Sequence, residues 1–256
     1  MSQKTAVIFG IHAVESALKQ RPAEIRILQL MEGRDDRRLS SLAELARNQG
    51  VALERISKEA LKELSLGRHQ GAVAWLKGSV SRSENASFVE ADLPSLIAQQ
   101  EGPGLWLVLD GVTDPHNLGA CLRSADAAGV TAVLIPKDKS ADITPVVSKV
   151  ACGAAETVPF HQVTNLARCL KELQDRGIWL YGTAGEASES VYKTDLKGPV
   201  AIVMGAEGKG LRRLTREACD HLIHIPMQGD VSSLNVSVAT GVCLFEALRQ
   251  RSVDAQ

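Results

Sequence analysis

Two kinds of hydrophobic pattern divide this chain. Up to about residue 78, short apolar runs alternate with segments of helical period. TAVIF, IRILQLM, VALERI and HQGAVAWL read as strands. Between them, HAVESALKQ places Ala13, Val14, Ala17 and Leu18 on one helical face, residues 36–48 form a second helix closed by Gly50, and residues 57–66 form a third with Ser57 as cap. This is a small alternating α/β unit with enough apolar positions for its own core. From Leu93 onward the strands LWLVLD, TAVLI, ETVPF, IWLYGT, VAIVMG and HLIHIP are continuous apolar runs. Strands of that kind have both faces covered, which predicts a larger α/β domain built on a mostly parallel sheet. The intervening residues 79–91, SVSRSENASFVEA, lack apolar periodicity and read as a linker. The expected organisation is therefore a first domain over 1–78, a linker over 79–91 and a second domain over 92–256.

Ligands of open α/β sheets bind where strands end and loops begin, and three strand ends carry unusual chemistry. The first, DGVTDPHNLGACLRSADAAG, passes through a polar turn into a helix expected to start near Asn117 and to carry Arg123 about two turns on. The second, VAIVMGAEGKGL, breaks at Gly205 into a loop holding Glu207, Gly208, Lys209 and Gly210. Its glycines allow close approach of backbone to a ligand, but it fits neither GxxxxGK[ST] nor GxGxxG, which argues against a triphosphate loop. The third is residues 225–248, IPMQGDVSSLNVSVATGVCLFEAL. Here a polar turn with Gly229, Asp230, Ser232 and Ser233 leads to Asn235, placed as the N-cap of an apolar helix over 236–249.

Composition narrows the classes. No apolar run approaches the roughly 20 residues that span a bilayer, and the N-terminus MSQKTAVIFG lacks the features of a signal peptide, so a soluble cytoplasmic protein is expected. Five scattered cysteines without a CxxC pair predict reduced core thiols and no metal site. The net charge of −1 conceals an asymmetry: residues 1–78 hold 13 Lys+Arg against 9 Asp+Glu, a balance of +4, and the remainder 16 against 21, or −5. Arg34, Arg37, Arg38, Arg47, Arg55 and Arg68 suit either phosphate contacts or a solvated helical face.

NLGACLR (117–123), GAEGKGL (205–211) and IPMQGDVSSLNVSVAT (225–240) together resemble the three signature motifs of the SpoU/TrmH branch of the SPOUT RNA methyltransferases. FGIHAVESAL, GRHQGAVA and DGVTDPHNLGACLRSADAAG extend the likeness over nearly the whole chain, toward members that methylate guanosine ribose in 23S rRNA. The resemblance implies an α/β catalytic domain closed by a C-terminal trefoil knot, a topology that general connection rules argue against. It also implies a small L7Ae/L30e-like N-terminal domain for structured RNA, S-adenosyl-L-methionine as cofactor, 2'-O-methylation of a guanosine in 23S rRNA or a large-subunit assembly intermediate, and a homodimer. By position, it puts the adenosyl contacts at Thr183, Ala184, Met204, Gly205, Ile225 and Leu234, and the catalytic group at Asn117, Arg123, Glu207, Ser233 and Asn235.

The chemistry gives those residues roles. Methyl transfer to a ribose hydroxyl is an in-line displacement that needs neither metal nor covalent intermediate, only positioning and removal of a proton. A guanidinium is essentially never deprotonated, so Arg123 is expected to bind the neighbouring phosphate and stabilise the developing alkoxide. Asn117 and Asn235 suit fixing the ribose or Arg123. Glu207 holds Arg123 or an amide, or else serves as a structural acceptor, and Ser233 is a contact or only a turn residue. A histidine titrates near neutrality and so suits a base, but His116 ranks below Arg123 as a catalytic group and better suits a turn or an RNA contact.

Overall fold

The computed structural model describes residues 7–33, 37–64, 69–77, 93–98, 100 and 102–253. The linker over 79–91, the end of the helix expected over 57–66, and Arg34 and Arg68 lie outside the described residues. By contacts the chain forms two units, residues 1–84 with 143–157, and residues 85–142 with 158–256.

In the first unit, β1 (Val7–Phe9), α1 (Ile11–Gln20), β2 (Ile25–Met31), α2 (Arg37–Asn48), β3 (Leu53–Ile56), α3 (Lys58–Glu63) and β4 (Ala72–Leu76) follow in order. The sheet runs β1-β4-β2-β3, antiparallel except for the β2/β3 pair. The predicted face of α1, with Ala13, Val14, Ala17 and Leu18, is buried with Leu39, Leu42 and Ala46 of α2 against Leu28 and Leu30 of β2. Ser57 caps α3 through its Oγ, which accepts from the Ala60 amide at 3.2 Å. Gly50 takes a positive φ of 67° after α2, a conformation open to glycine at no steric cost.

The second unit starts with α4 (Leu93–Ala98), β5 (Leu105–Asp110), α5 (Pro115–Ala127) and β6 (Ala132–Pro136). Two short helices follow, α6 (Pro145–Val150) and α7 (Ala154–Thr157), which cluster with the first unit; Ser16 Oγ donates to the Gly153 carbonyl at 3.3 Å, and Arg21 pairs with Glu156. The second unit resumes with β7 (Phe160–Val163), α8 (Leu166–Asp175), β8 (Trp179–Thr183), β9 (Glu189–Ser190), β10 (Val200–Gly205), α9 (Arg213–Ala218), β11 (His221–His224) and α10 (Val236–Val253). Its sheet, ordered β7-β6-β5-β10-β8-β11-β9, is parallel at every pairing. The central strands β5 and β10 are buried almost throughout, in keeping with their unbroken apolar sequence.

Three boundaries differ from the sequence reading, and so does the burial of two cysteines. The segment ETVPF is not a strand: Glu156 and Thr157 end α7, and the strand forms after Pro159, which has no N–H to give to a ladder. The helix expected near Asn117 starts at Pro115 and is capped by Asp114, whose Oδ1 accepts from the His116 amide at 3.0 Å. α10 continues to Val253, beyond the expected residue 249. Of the expected core thiols, Cys121, Cys169 and Cys243 are buried, whereas Cys219 is half-buried and Cys152 is exposed at a positive φ of 53°. Burial pushes the Cys121 thiol up to about 11 and that of Cys243 to about 12. Among the described residues, no helix is long and apolar enough to cross a membrane.

Candidate functional site

β10, β8 and β11 are consecutive in the sheet, and their carboxyl ends open into a cavity of about 590 Å³ in the second unit. That volume falls within the range of small-molecule sites. Its inner wall is apolar, formed by the buried Met204, Ile223 and Val236 with Leu211 and Leu234. Thr183, Ala184, Met204, Gly205, Ile225 and Leu234, the six residues expected at an adenosyl group, all line it. The Thr183 hydroxyl Oγ1 donates to the Val203 carbonyl at 3.2 Å and ties β8 to β10.

The wall beyond β10 is a tight loop. Ala206 and Gly210 exchange two backbone hydrogen bonds of 3.1 and 2.9 Å, and Gly208 and Gly210 take positive φ values of 72° and 65°. The far end of the loop is pinned by Asp110, the last residue of β5. Asp110 is fully buried; its carboxylate accepts from the Arg212 amide at 2.9 Å and from Arg212 Nε at 2.5 Å. Neither Asp110 nor Arg212 was foreseen from sequence, although a carboxylate closing an otherwise apolar strand is a signal of a buried polar partner. Asp110→Ala leaves the guanidinium without its anion. Arg212 is partly exposed, so the loss is expected near the lower end for broken buried pairs, about 3 kcal/mol. A thermal scan checks this: a lowered unfolding midpoint is expected, and an unchanged one refutes the anchor.

Asn235 joins the cavity to α5. Its Nδ2 donates to Asn117 Oδ1 at 2.9 Å and to Glu207 Oε1 at 2.5 Å, while its Oδ1 accepts from the Ser237 amide at 2.9 Å and from Ser237 Oγ at 2.6 Å. One side chain therefore caps α10 with its oxygen and gathers Asn117 and Glu207 with its nitrogen. The earlier start of α5 matters here, because it puts Asn117 inside the first turn, nearly buried and aimed by the helix. Glu207 accordingly holds an amide. Ser233 lines the cavity and is exposed, as is Glu207. Arg123 is exposed two turns along α5 and is not among the residues that line the cavity. His116 is also exposed, at the start of α5.

The rim carries a further charged pair. Arg216 of α9 donates through Nη1 to Glu186 in the turn after β8, and both line the cavity. The Glu186 backbone amide, and then the Arg216 guanidinium, hold the Glu186 carboxyl below its ordinary range. The sequence reading did not single out either residue.

Comparison with known proteins finds relatives over nearly the whole chain. The SpoU rRNA Methylase family matches residues 104–245, and the family described as RNA 2'-O ribose methyltransferase substrate binding matches residues 7–79. The chain is 58% identical over 250 residues to the 23S rRNA (guanosine-2'-O-)-methyltransferase RlmB of Shewanella oneidensis, covering 97% of this chain and 99% of that one. It is 55% identical over 247 residues to the protein of the same name from Escherichia coli K12, covering 96% and 99%. Among solved structures, an RNA 2'-O ribose methyltransferase aligns with a TM-score of 0.79 at 30% identity, over 98% of this chain and 90% of that one. The SpoU methyltransferase AviRb from Streptomyces viridochromogenes, in complex with AdoMet, aligns with a TM-score of 0.76 at 22% identity, over 96% and 90%, a likeness of fold.

Proposed function

The chain belongs to the SpoU rRNA methylase family, and we propose that its 590 Å³ cavity holds the S-adenosylmethionine used to methylate the 2'-hydroxyl of a guanosine in 23S rRNA. The observation that carries the reading is the convergence of the carboxyl ends of β8, β10 and β11: their loops line one apolar-walled cavity, and Asn235, which lies between the lining residues Leu234 and Val236, bridges Asn117 and Glu207. The residues present fit the cofactor. Met204, Ile225 and Leu234 offer apolar surface to an adenine, and the close-packed backbone at Gly205 completes the wall.

When bound, the cofactor supplies an activated methyl group on a sulfonium. The chain's own residues then have to position the ribose and stabilise its oxygen as it loses a proton. Asn235, oriented by its cap to α10 and by Glu207, and Asn117 present amides suited to ribose hydroxyls. Arg123 binds the adjoining phosphate and stabilises negative charge on the attacking oxygen. Ser233 contributes a hydroxyl at the cavity mouth.

The first unit supplies RNA affinity. Its excess of positive charge is carried in part by Arg37, Arg38, Arg47 and Arg55, all exposed. It has the L7Ae/L30e-like fold, and the second unit carries the trefoil knot, with the segment after β11 threaded past the Ala206–Gly210 loop. The protein acts as a homodimer in the cytoplasm, where ribosomes are assembled. α10 is apolar on its outer side as well, with Val238 52% and Phe245 47% exposed, and that face suits a second copy.

The test is incorporation of labelled methyl from S-adenosylmethionine. Label is expected in 23S rRNA, at a guanosine ribose by mapping of 2'-O-methylated positions, and none in tRNA. Label confined to tRNA overturns the substrate, and label in neither overturns the activity.

A further inference from the structure

The cavity is apolar within and charged at its mouth. Among its described lining residues the charged side chains are Glu186, Glu207, Lys209 and Arg216. Glu207 is engaged by the Asn235 amide, and Lys209 sits exposed at the tip of the glycine loop. Glu186 and Arg216 instead hold each other across the rim, from the turn after β8 to α9. Their side chains are 63% and 40% exposed. Ion pairs so exposed contribute little to stability, so the pair is easily exchanged for other partners. A guanidinium already oriented to grip one carboxylate is equally oriented for a second, and its planar fork suits a carboxylate better than the point charge of Lys209.

The amino acid end of S-adenosylmethionine carries one carboxylate and one ammonium, and an apolar inner wall that takes the adenine leaves that end toward the charged mouth. We infer that Arg216 and Glu186 form the receptor for it, Arg216 binding the carboxylate and Glu186 the ammonium, in place of their mutual pair. The inference rests on the assignment of the cavity to the cofactor. It gives the cavity a reason to prefer the complete cofactor over adenosyl compounds that lack a zwitterion, a preference that apolar walls alone do not provide.

Calorimetric titration of the full chain with three probes tests it: S-adenosylmethionine, decarboxylated S-adenosylmethionine and 5'-methylthioadenosine. Arg216→Met is expected to weaken S-adenosylmethionine by about tenfold or more, as for a lost charge-assisted hydrogen bond, and to leave the other two within about twofold. Glu186→Gln is expected to weaken both amine-bearing compounds and to spare 5'-methylthioadenosine. An Arg216→Met protein that binds all three as wild type does, or loses affinity for all three alike, overturns the inference, the latter result meaning that Arg216 only shapes the rim. Wild-type protein that binds none of the three refutes the cofactor assignment itself, a different failure from loss of discrimination. Circular dichroism of each variant, expected unchanged for exposed side chains, separates either result from unfolding.

Discussion

Arg123→Ala is expected to lower methyl transfer to 23S rRNA by about 100- to 1,000-fold, the scale on which a single charge-stabilising donor acts, and to leave S-adenosylmethionine affinity within about twofold. The split follows from position. Arg123 is exposed on α5, off the cavity wall, while the cavity itself is completed by β8, β10, β11 and the loops after them. A guanidinium offers charge and a planar fork of N–H donors, so the contribution of Arg123 is charge and hydrogen bonding at the phosphate and the attacking oxygen. Arg123→Lys keeps the charge and loses the fork, and it is expected to fall between wild type and Arg123→Ala. Turnover with labelled cofactor and a calorimetric Kd give the two readouts. A variant that loses cofactor affinity along with activity puts Arg123 on the cofactor side and refutes the assignment.

The parts of this site that sequence made legible are those written in consecutive residues. LWLVLD, VAIVMG and HLIHIP are apolar runs followed at once by polar or glycine-rich turns, so the strand ends and their loops can be read directly, and all six expected adenosyl residues line one cavity. At the start of α5, DPHN offers two residues able to cap the helix, Asp114 and Asn117. Pro115 decides between them, since proline favours the first helical position and so makes Asp114 the cap. That two-residue shift frees the Asn117 side chain from capping and leaves it to receive the Asn235 amide.

Other features leave no local trace. Asp110 and Arg212 are joined by the sheet and not by any spacing in sequence, and Glu186 meets Arg216 only because β8 and α9 flank one opening. Nothing in the pattern of α10 separates a core-facing side from an outward one: the polar Glu246 and Gln250 are buried along with Cys243 and Leu244, while the apolar Phe245 is 47% exposed. The division of residues 143–157 from the rest of the second half is likewise invisible in an apolar pattern that continues unchanged through PVVSKVACGAA.

Gly205→Ala is expected to weaken S-adenosylmethionine by about 100-fold or more, an effect that comes from the wall and not from any lost contact. A Cβ at Gly205 lies 2.2 Å from the carbonyl carbon of Gly210 and 2.3 Å from the Leu211 amide nitrogen, both backbone atoms that no rotamer change can move aside. The loop is held on both sides of that crossing, by the two Ala206–Gly210 hydrogen bonds and by Arg212 on the buried Asp110. The added methyl therefore displaces the Gly210–Leu211 backbone from the cavity wall at a cost of about 3 kcal/mol, which corresponds to roughly two decades of affinity if the bound form requires the native wall. Gly229, in the polar turn before Asn235, provides the contrast: a Cβ there meets nothing within 4 Å, and Gly229→Ala is expected to bind cofactor within about twofold of wild type. Calorimetry on both variants, with thermal unfolding to confirm that each is folded, makes the comparison. A Gly205→Ala protein that binds as well as wild type means that the loop yields without effect on the cavity, and the rigid crossing after β10 is then not what shapes the cofactor wall.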